Sequence, residues 1–188
     1  MKNRKVLCMT MAAALCLALG ASATIMVRVD FDELVKATQV VARGKCVASE
    51  ARWDRGSIWT FTTIQVEETL KGSTTGQIVV RLPGGKVGHM TSTVDAVPQF
   101  HAGEEVFLFL VPTSVGDFSV LGWVQGTFRM RLDPQTGKGS VTQESAAHAV
   151  YDPVIRQFKA GGVRNMPVEM FRLRVREAME RQRKGKLP

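Results

Sequence analysis

Cysteine is scarce in this chain, and it sits where it can do little for a fold. Of three cysteines in 188 residues, Cys8 and Cys16 lie in an N-terminal apolar run and only Cys46 is left for the body. That excludes a disulfide-stapled scaffold and any CxxC zinc or redox motif. Histidine is equally sparse: His89, His101 and His148 fall in no HExxH or Hx3–5H spacing, so no metal ligand set is written in the sequence and no cofactor is expected. Long hydrophobic runs are missing as well. The longest, Val6–Leu19, has 14 residues, short of the ~20 that span a bilayer as a helix. There are no internal repeats and no low-complexity stretches. What remains, 45% hydrophobic and 22% charged residues, is the composition of a globular domain with a real core.

The N-terminus reads as an address. Lys2, Arg4 and Lys5 precede the apolar run, and Ala21-Ser22-Ala23 supplies the small residues that signal peptidase accepts. Residues 1–23 are therefore expected to be a signal peptide, cleaved near Ala23, and the protein to be exported, periplasmic or secreted. The charge is uneven. Residues 172–188 hold seven basic residues (Arg172, Arg174, Arg176, Arg181, Arg183, Lys184, Lys186) against Glu177 and Glu180, whereas residues 24–171 balance at 15 and 15. The basic character belongs to a tail.

Asp30–Ala37 has the spacing of a short helix, with Asp30 at its N-cap and Phe31, Leu34 and Val35 on one side. The pattern then turns to period two for about a hundred residues, as strands spaced 8–15 residues apart are expected to do. The candidates are 39–50, 57–69, 76–82, 86–95, 104–112, 118–124, 126–132 and 138–143, separated by turns such as Pro83-Gly84-Gly85 and Asp133-Pro134-Gln135-Thr136-Gly137. Val106–Val111 is apolar on both faces, which predicts a central strand covered on both sides. Cys46 shares a strand face with Val40, Ala42, Gly44 and Ala48, so it is expected in the core. Tyr151–Phe158 reads as a further short helix. Pro167 opens a last one, with Val168, Phe171, Val175, Ala178 and Met179 as its apolar stripe and arginines opposite. The fold class is thus mainly β: a small antiparallel OB-like β-barrel with a short N-terminal helix and an amphipathic basic C-terminal helix. The expected organisation is barrel and N-terminal helix over 24–150, and a helical segment packed on the barrel over 151–188.

Three segments carry a family likeness. Val41-Ala42-Arg43-Gly44-Lys45-Cys46-Val47, Val66-Glu67-Glu68-Thr69-Leu70-Lys71-Gly72 and Phe100-His101-Ala102-Gly103-Glu104-Glu105-Val106-Phe107-Leu108 resemble the netrin-type module. That module is shared by netrins, complement C-termini and the tissue inhibitors of metalloproteinases, and many exported bacterial proteins look similar. The likeness covers about 40–112. It implies an OB-type five-stranded barrel with helices packed against it, and a protein as partner, with a protease the first candidate. In the inhibitors an N-terminal cysteine chelates the protease's zinc. The start near Thr24-Ile25-Met26 has no cysteine, and the family's disulfides are absent, so that mechanism does not carry over.

No catalytic motif accompanies the likeness. Glu67-Glu68 and Glu104-Glu105 are adjacent strand residues, which point to opposite faces and cannot share a proton. Pro83–Gly88 lacks the spacing of a phosphate loop, and no serine sits in a GxSxG setting. The chain is therefore read as a non-catalytic binding module rather than an enzyme. The expected rim is the 83–102 loop, with Lys86, His89, Phe100 and His101 as candidate contacts, alongside the loop at 113–118. The alternative is an envelope-associated structural protein whose C-terminal helix meets anionic lipid or polymer through Arg172, Arg176, Arg183 and Lys184. A hydrolase ranks third. Nucleic acid is not an expected partner, because the barrel region is charge-neutral and export removes it from most nucleic acid.

Overall fold

One strand divides its side chains between two cores and so organises the molecule. In the computed structural model, which describes residues 26–74 and 76–185, β6 (Glu105–Pro112) is fully buried from Val106 to Leu110. Successive side chains of a strand point to opposite faces. Phe107 and Phe109 accordingly enter one cluster with Phe31, Leu34, Phe128, Phe171 and Val175. Val106, Leu108 and Leu110 enter another with Cys46, Ile64, Val80, Leu82 and Phe100. The doubly covered central strand expected from the sequence is this one.

The second cluster fills a closed ring. β1 (Val40–Asp54) pairs with β2 (Ser57–Lys71), β2 with β3 (Gln77–Pro83), β3 with β7 (Phe118–Val120), β7 with β6, and β6 with the first part of β1. Five strands thus form a barrel-like ring. Its ladders are antiparallel except at β3–β7, where Val80 and Phe118 meet in a parallel pair. The all-antiparallel expectation fails at that one closure. β1 and β2 are 15 residues each and must bend to serve the ring. Irregularities between Val41/Ala42, Arg43/Gly44 and Cys46/Ala48 supply the bend. Gly44 is needed there, since a Cβ would lie 2.5 Å from both the Gln65 carbonyl oxygen and Ile64 Cγ2.

Beyond β6 the sheet continues through β8 (Thr127–Leu132), β9 (Gly139–Gln143) and β12 (Met166–Pro167). The β8–β9 hairpin turns at the Asp-Pro-Gln-Thr-Gly segment as expected: the Asp133 carboxylate accepts the Gln135 N–H, and Gly137 takes φ 66°. On the outer side of β6 and β8 lie α1 (Phe31–Ala37) and α2 (Val168–Lys184). They bury Phe31, Leu34 and Val35, and Phe171, Val175 and Ala178, respectively. Pro167 stands immediately before α2 rather than inside its first turn.

Three expectations are corrected. Residues 86–95 do not form one strand: Gly88-His89 turns the chain back into a small hairpin of β4 (Gly85–Val87) and β5 (Met90–Ser92). The strand expected over 118–124 ends at Val120, where Gly122 in the left-handed region leads into a 3-10 turn at Trp123–Gln125. Tyr151–Phe158 is not helical but a hairpin of β10 (Ala149–Asp152) and β11 (Gln157–Ala160). The Asp-Pro step explains it. The Asp152 carboxylate accepts the Val154 and Ile155 N–H groups and fixes a turn, and Tyr151 and Phe158 stack across the strands at 5.4 Å. Residues 151–167 therefore belong to the β structure, and the C-terminal helical segment begins only at Val168. The signal peptide expected over residues 1–23 and its cleavage near Ala23 lie outside the described residues.

Candidate binding cleft and basic helix

The segment from Pro83 to Gly103 folds over the far half of the β1–β2–β3 sheet and leaves a cleft. Pro83 leads from β3 straight into Gly84 and Gly85, at φ 90° and 131°. Gly85 lies against β1 and β2 so closely that a Cβ would stand 2.6 Å from Ala51 Cβ and from Thr60 Oγ1. This close approach seats the β4–β5 hairpin on the sheet. The Thr60 hydroxyl donates to the Gly84 carbonyl at 2.8 Å and fixes the same crossing. Between hairpin, sheet and the returning chain at 93–101 lies a cavity of about 400 Å³. Its walls are hydroxyl groups (Ser49, Thr60, Thr91, Ser92), Pro83, Pro98, Val94 and Val97, with Lys86 and His101 at the edge.

The four expected rim residues separate. Lys86 and His101 are exposed and line the cleft, the first from β4 and the second from the returning chain. Phe100 lines it too, but from behind: it is 4% exposed and packs in the ring's core, so it is a wall and not a contact. It sits in the loop before β6, packed in the ring's core and facing the Arg129 guanidinium. His89 is at the tip of the β4–β5 hairpin, exposed and outside the lining.

Behind Phe100 lies a charge network that the sequence did not reveal. Arg129 on β8 donates to Glu104 at 2.6 Å, to Glu144 at 3.1 Å and to the Gln99 carbonyl at 2.6 Å, and its guanidinium lies 5.6 Å from the Phe100 ring centre. Glu104 also accepts the His101 backbone N–H at 3.1 Å and faces His101 Nδ1 at 3.2 Å. Burial alone would raise the Glu104 carboxyl, but these donors outweigh it and hold it below its ordinary value. Arg129 is pushed up: burial works against its charge, and the two carboxylates more than offset that. The network anchors the 99–104 wall of the cleft. Arg129's partners are 15 to 30 residues from it in sequence, so no local pattern could disclose its part in the network.

Cys46 is buried and free, as its strand phase predicts. Burial pushes its thiol up, and the Glu104 carboxylate adds to the effect. A neutral, enclosed thiol is a packing group. No group of three or more His, Cys, Asp or Glu side chains among the described residues is placed to hold a metal ion.

On the basic helix the expected anionic contacts also divide. Arg172 is not free: it grips Glu68 with Nε at 2.9 Å and Nη2 at 2.8 Å, and pairs with Glu169 in its own helix. It locks α2 to β2, and Arg43 on β1 reaches the same Glu68 carboxylate at 3.7 Å while pairing with Glu67 at 2.7 Å. Arg176, Arg183 and Lys184 are exposed and make no ion pair among the described residues.

No family model matches this chain, and no curated protein matches it either.

Proposed function

We propose that the chain is an exported, non-catalytic binding module of netrin/OB type that takes a segment of a partner protein into the cleft between the β4–β5 hairpin, residues 93–101 and β1. The observation that carries this reading is the cleft itself. Its volume of about 400 Å³ suits a few side chains, and its prolines and valines offer apolar contact while hydroxyls offer hydrogen bonds. Two of the hydroxyls within it are engaged in structure: Ser49 with Thr62 at 3.0 Å, and Thr60 with the Gly84 carbonyl. Neither is paired with a base that could activate it, which supports binding rather than group transfer. Lys86 and His101 on the rim, with no carboxylate in the lining, favour an acidic or neutral segment. A protease is the first class of partner to test, on the family resemblance. The five-strand ring with one parallel closure and a helix on either side of the sequence supports the same resemblance.

A crosslinking pull-down from envelope and secreted fractions tests the reading, with the wild-type protein beside Lys86→Glu. Loss of a recovered protein in the Lys86→Glu arm supports the cleft; undiminished recovery overturns it. A third arm, Arg176→Glu with Arg183→Glu and Lys184→Glu, covers the second reading. Those three exposed cations favour contact with anionic lipid or polymer, and such binding fades within a few-fold rise in salt.

A further inference from the structure

The ring leaves one edge of half of β1 without a paired strand, although β4 lies over its face at Ala51. β6 pairs with Val40–Lys45, and the backbone of Cys46 still bonds Glu104 and Gly103, but from Val47 to Asp54 the strand has β2 on one side and no partner strand on the other among the described residues. The direction of its backbone groups follows from the hairpin. Arg55 and Gly56, with φ 48° and 79°, form a two-residue turn closed by Asp54 and Ser57. A closing pair exchanges both hydrogen bonds, so Asp54, Arg52 and Glu50 address β2 while Trp53, Ala51 and Ser49 direct N–H and C=O outward. The other end agrees. Cys46 bonds outward, and the extra residue between Cys46 and Ala48 restores the alternation.

We propose that this edge pairs with the same edge of a second copy, antiparallel about a two-fold axis at Ala51, to form a continuous sheet through both molecules. The sequence Ala48-Ser49-Glu50-Ala51-Arg52-Trp53-Asp54 is complementary to itself in that register. Ala51 faces Ala51 as a hydrogen-bonded pair and Ser49 faces Trp53 of the other copy. Glu50 faces Arg52 of the other copy in the non-hydrogen-bonded pairs, where side chains come closest. A shift of one permitted step in either direction sets Glu50 against Glu50 or Arg52 against Arg52, so charge selects the register. Both residues are exposed on the outer face of the strand. The pairing also accounts for Trp53, an indole left 50% exposed on the strand face it shares with Ser49 and Ala51, and for Val47, 47% exposed. Trp53 would cross onto the partner copy beside Ser49, a lining residue of that copy's cleft, and the hairpin tip would cover Val47. An open edge of this length is otherwise a template for uncontrolled pairing, and an isologous contact closes it. The inference stands apart from the identity of any cleft partner.

Sedimentation equilibrium on the protein recovered from cells expressing the full chain tests it, over about 1 µM to 1 mM. The expected result is a dimer. Glu50→Arg alone and Arg52→Glu alone each place two like-charged pairs across the axis and should weaken the dimer about 100-fold. The double exchange, Glu50→Arg with Arg52→Glu, restores both pairs and should recover most of the affinity. Melting curves of all three confirm folded protein. A monomer throughout the range overturns the proposal, as does a dimer that the single reversals leave unchanged. So does a double exchange no stronger than the singles.

Discussion

Replacing Phe171 by alanine should remove a large part of the protein's stability, because this one side chain ties α2 to everything beneath it. Phe171 is fully buried, with its ring 4.9 Å from those of Phe107 and Phe128, 5.8 Å from Phe31 and 6.4 Å from Phe109. Those neighbours come from β6, β8 and α1, and they are themselves packed against one another. A hole left among them cannot close by the motion of one element. Phenylalanine-to-alanine changes in such settings cost about 3–5 kcal/mol. For a domain of this size each kcal/mol moves Tm by about 2–4 °C, so the expected fall is on the order of 10 °C. Phe171→Asp adds an unpaired buried charge and should leave little folded protein. Leu173→Ala is the control: Leu173 lies on the same helix, 40% exposed, and should stay within about 0.5 kcal/mol. Thermal melts and urea titrations of the three variants provide the test. A Tm within about 2 °C of wild type for Phe171→Ala would refute the docked helix and make α2 a separate arm.

Two further outcomes are expected. Glu104 has a lowered folded-state pKa, so the stability it contributes is present above the ordinary carboxylate value of about 4.3 and is lost as pH falls through the folded value. Urea midpoints should therefore drop in that acid window, and Glu104→Gln should lower the neutral-pH midpoint while flattening the acid slope; an unchanged slope would remove Glu104 from the account. Cys46, enclosed and with its thiol pushed up, should resist a maleimide in the native protein and react once urea unfolds it, read by mass spectrometry of its peptide. Rapid native labelling would show that the β1 half of the ring opens.

Periodicity disclosed what depends on one element at a time. The alternation around Cys46, the doubly apolar Val106–Leu110 run and the Phe171–Val175–Ala178 stripe each state a face to be buried, and each face is buried. The misread segments are those where a turn residue outweighs an apolar spacing. Val154, Ile155 and Phe158 look like a helical stripe, yet Val154 is 88% exposed because Asp152 and Pro153 turn the chain first. The ring's closure, by contrast, was not legible. A single parallel pair between Val80 and Phe118 joins strands that share no local signal. The cleft was located only as a long loop. That Phe100 would be its inner wall, held by Arg129 and Glu104, depends on partners brought together by β8, and β8 reaches them only once the sheet exists.

The C-terminal arginines show why net charge is a poor guide to an adhesive surface. Of the seven basic residues between 172 and 188, Arg172 is spent on Glu68 and Glu169. Arg174 lies over the Phe31 ring at 4.4 Å, and Arg181 holds Asp32 at 2.9 Å. Each ties α2 to β2 or α1, so three of the seven are fastenings. Among the described residues, what faces outward is Arg176 and the pair Arg183 and Lys184, separated by two turns of helix. Three dispersed cations make a weak, salt-sensitive contact. The cleft, in contrast, is bounded by backbone that the Gly84–Gly85 crossing and a half-buried ion network hold in place. Fixed walls lose less conformational freedom on binding than long surface side chains do. The close Gly85 crossing and the Arg129 network, rather than the charge of the tail, make the cleft the stronger candidate for a specific partner.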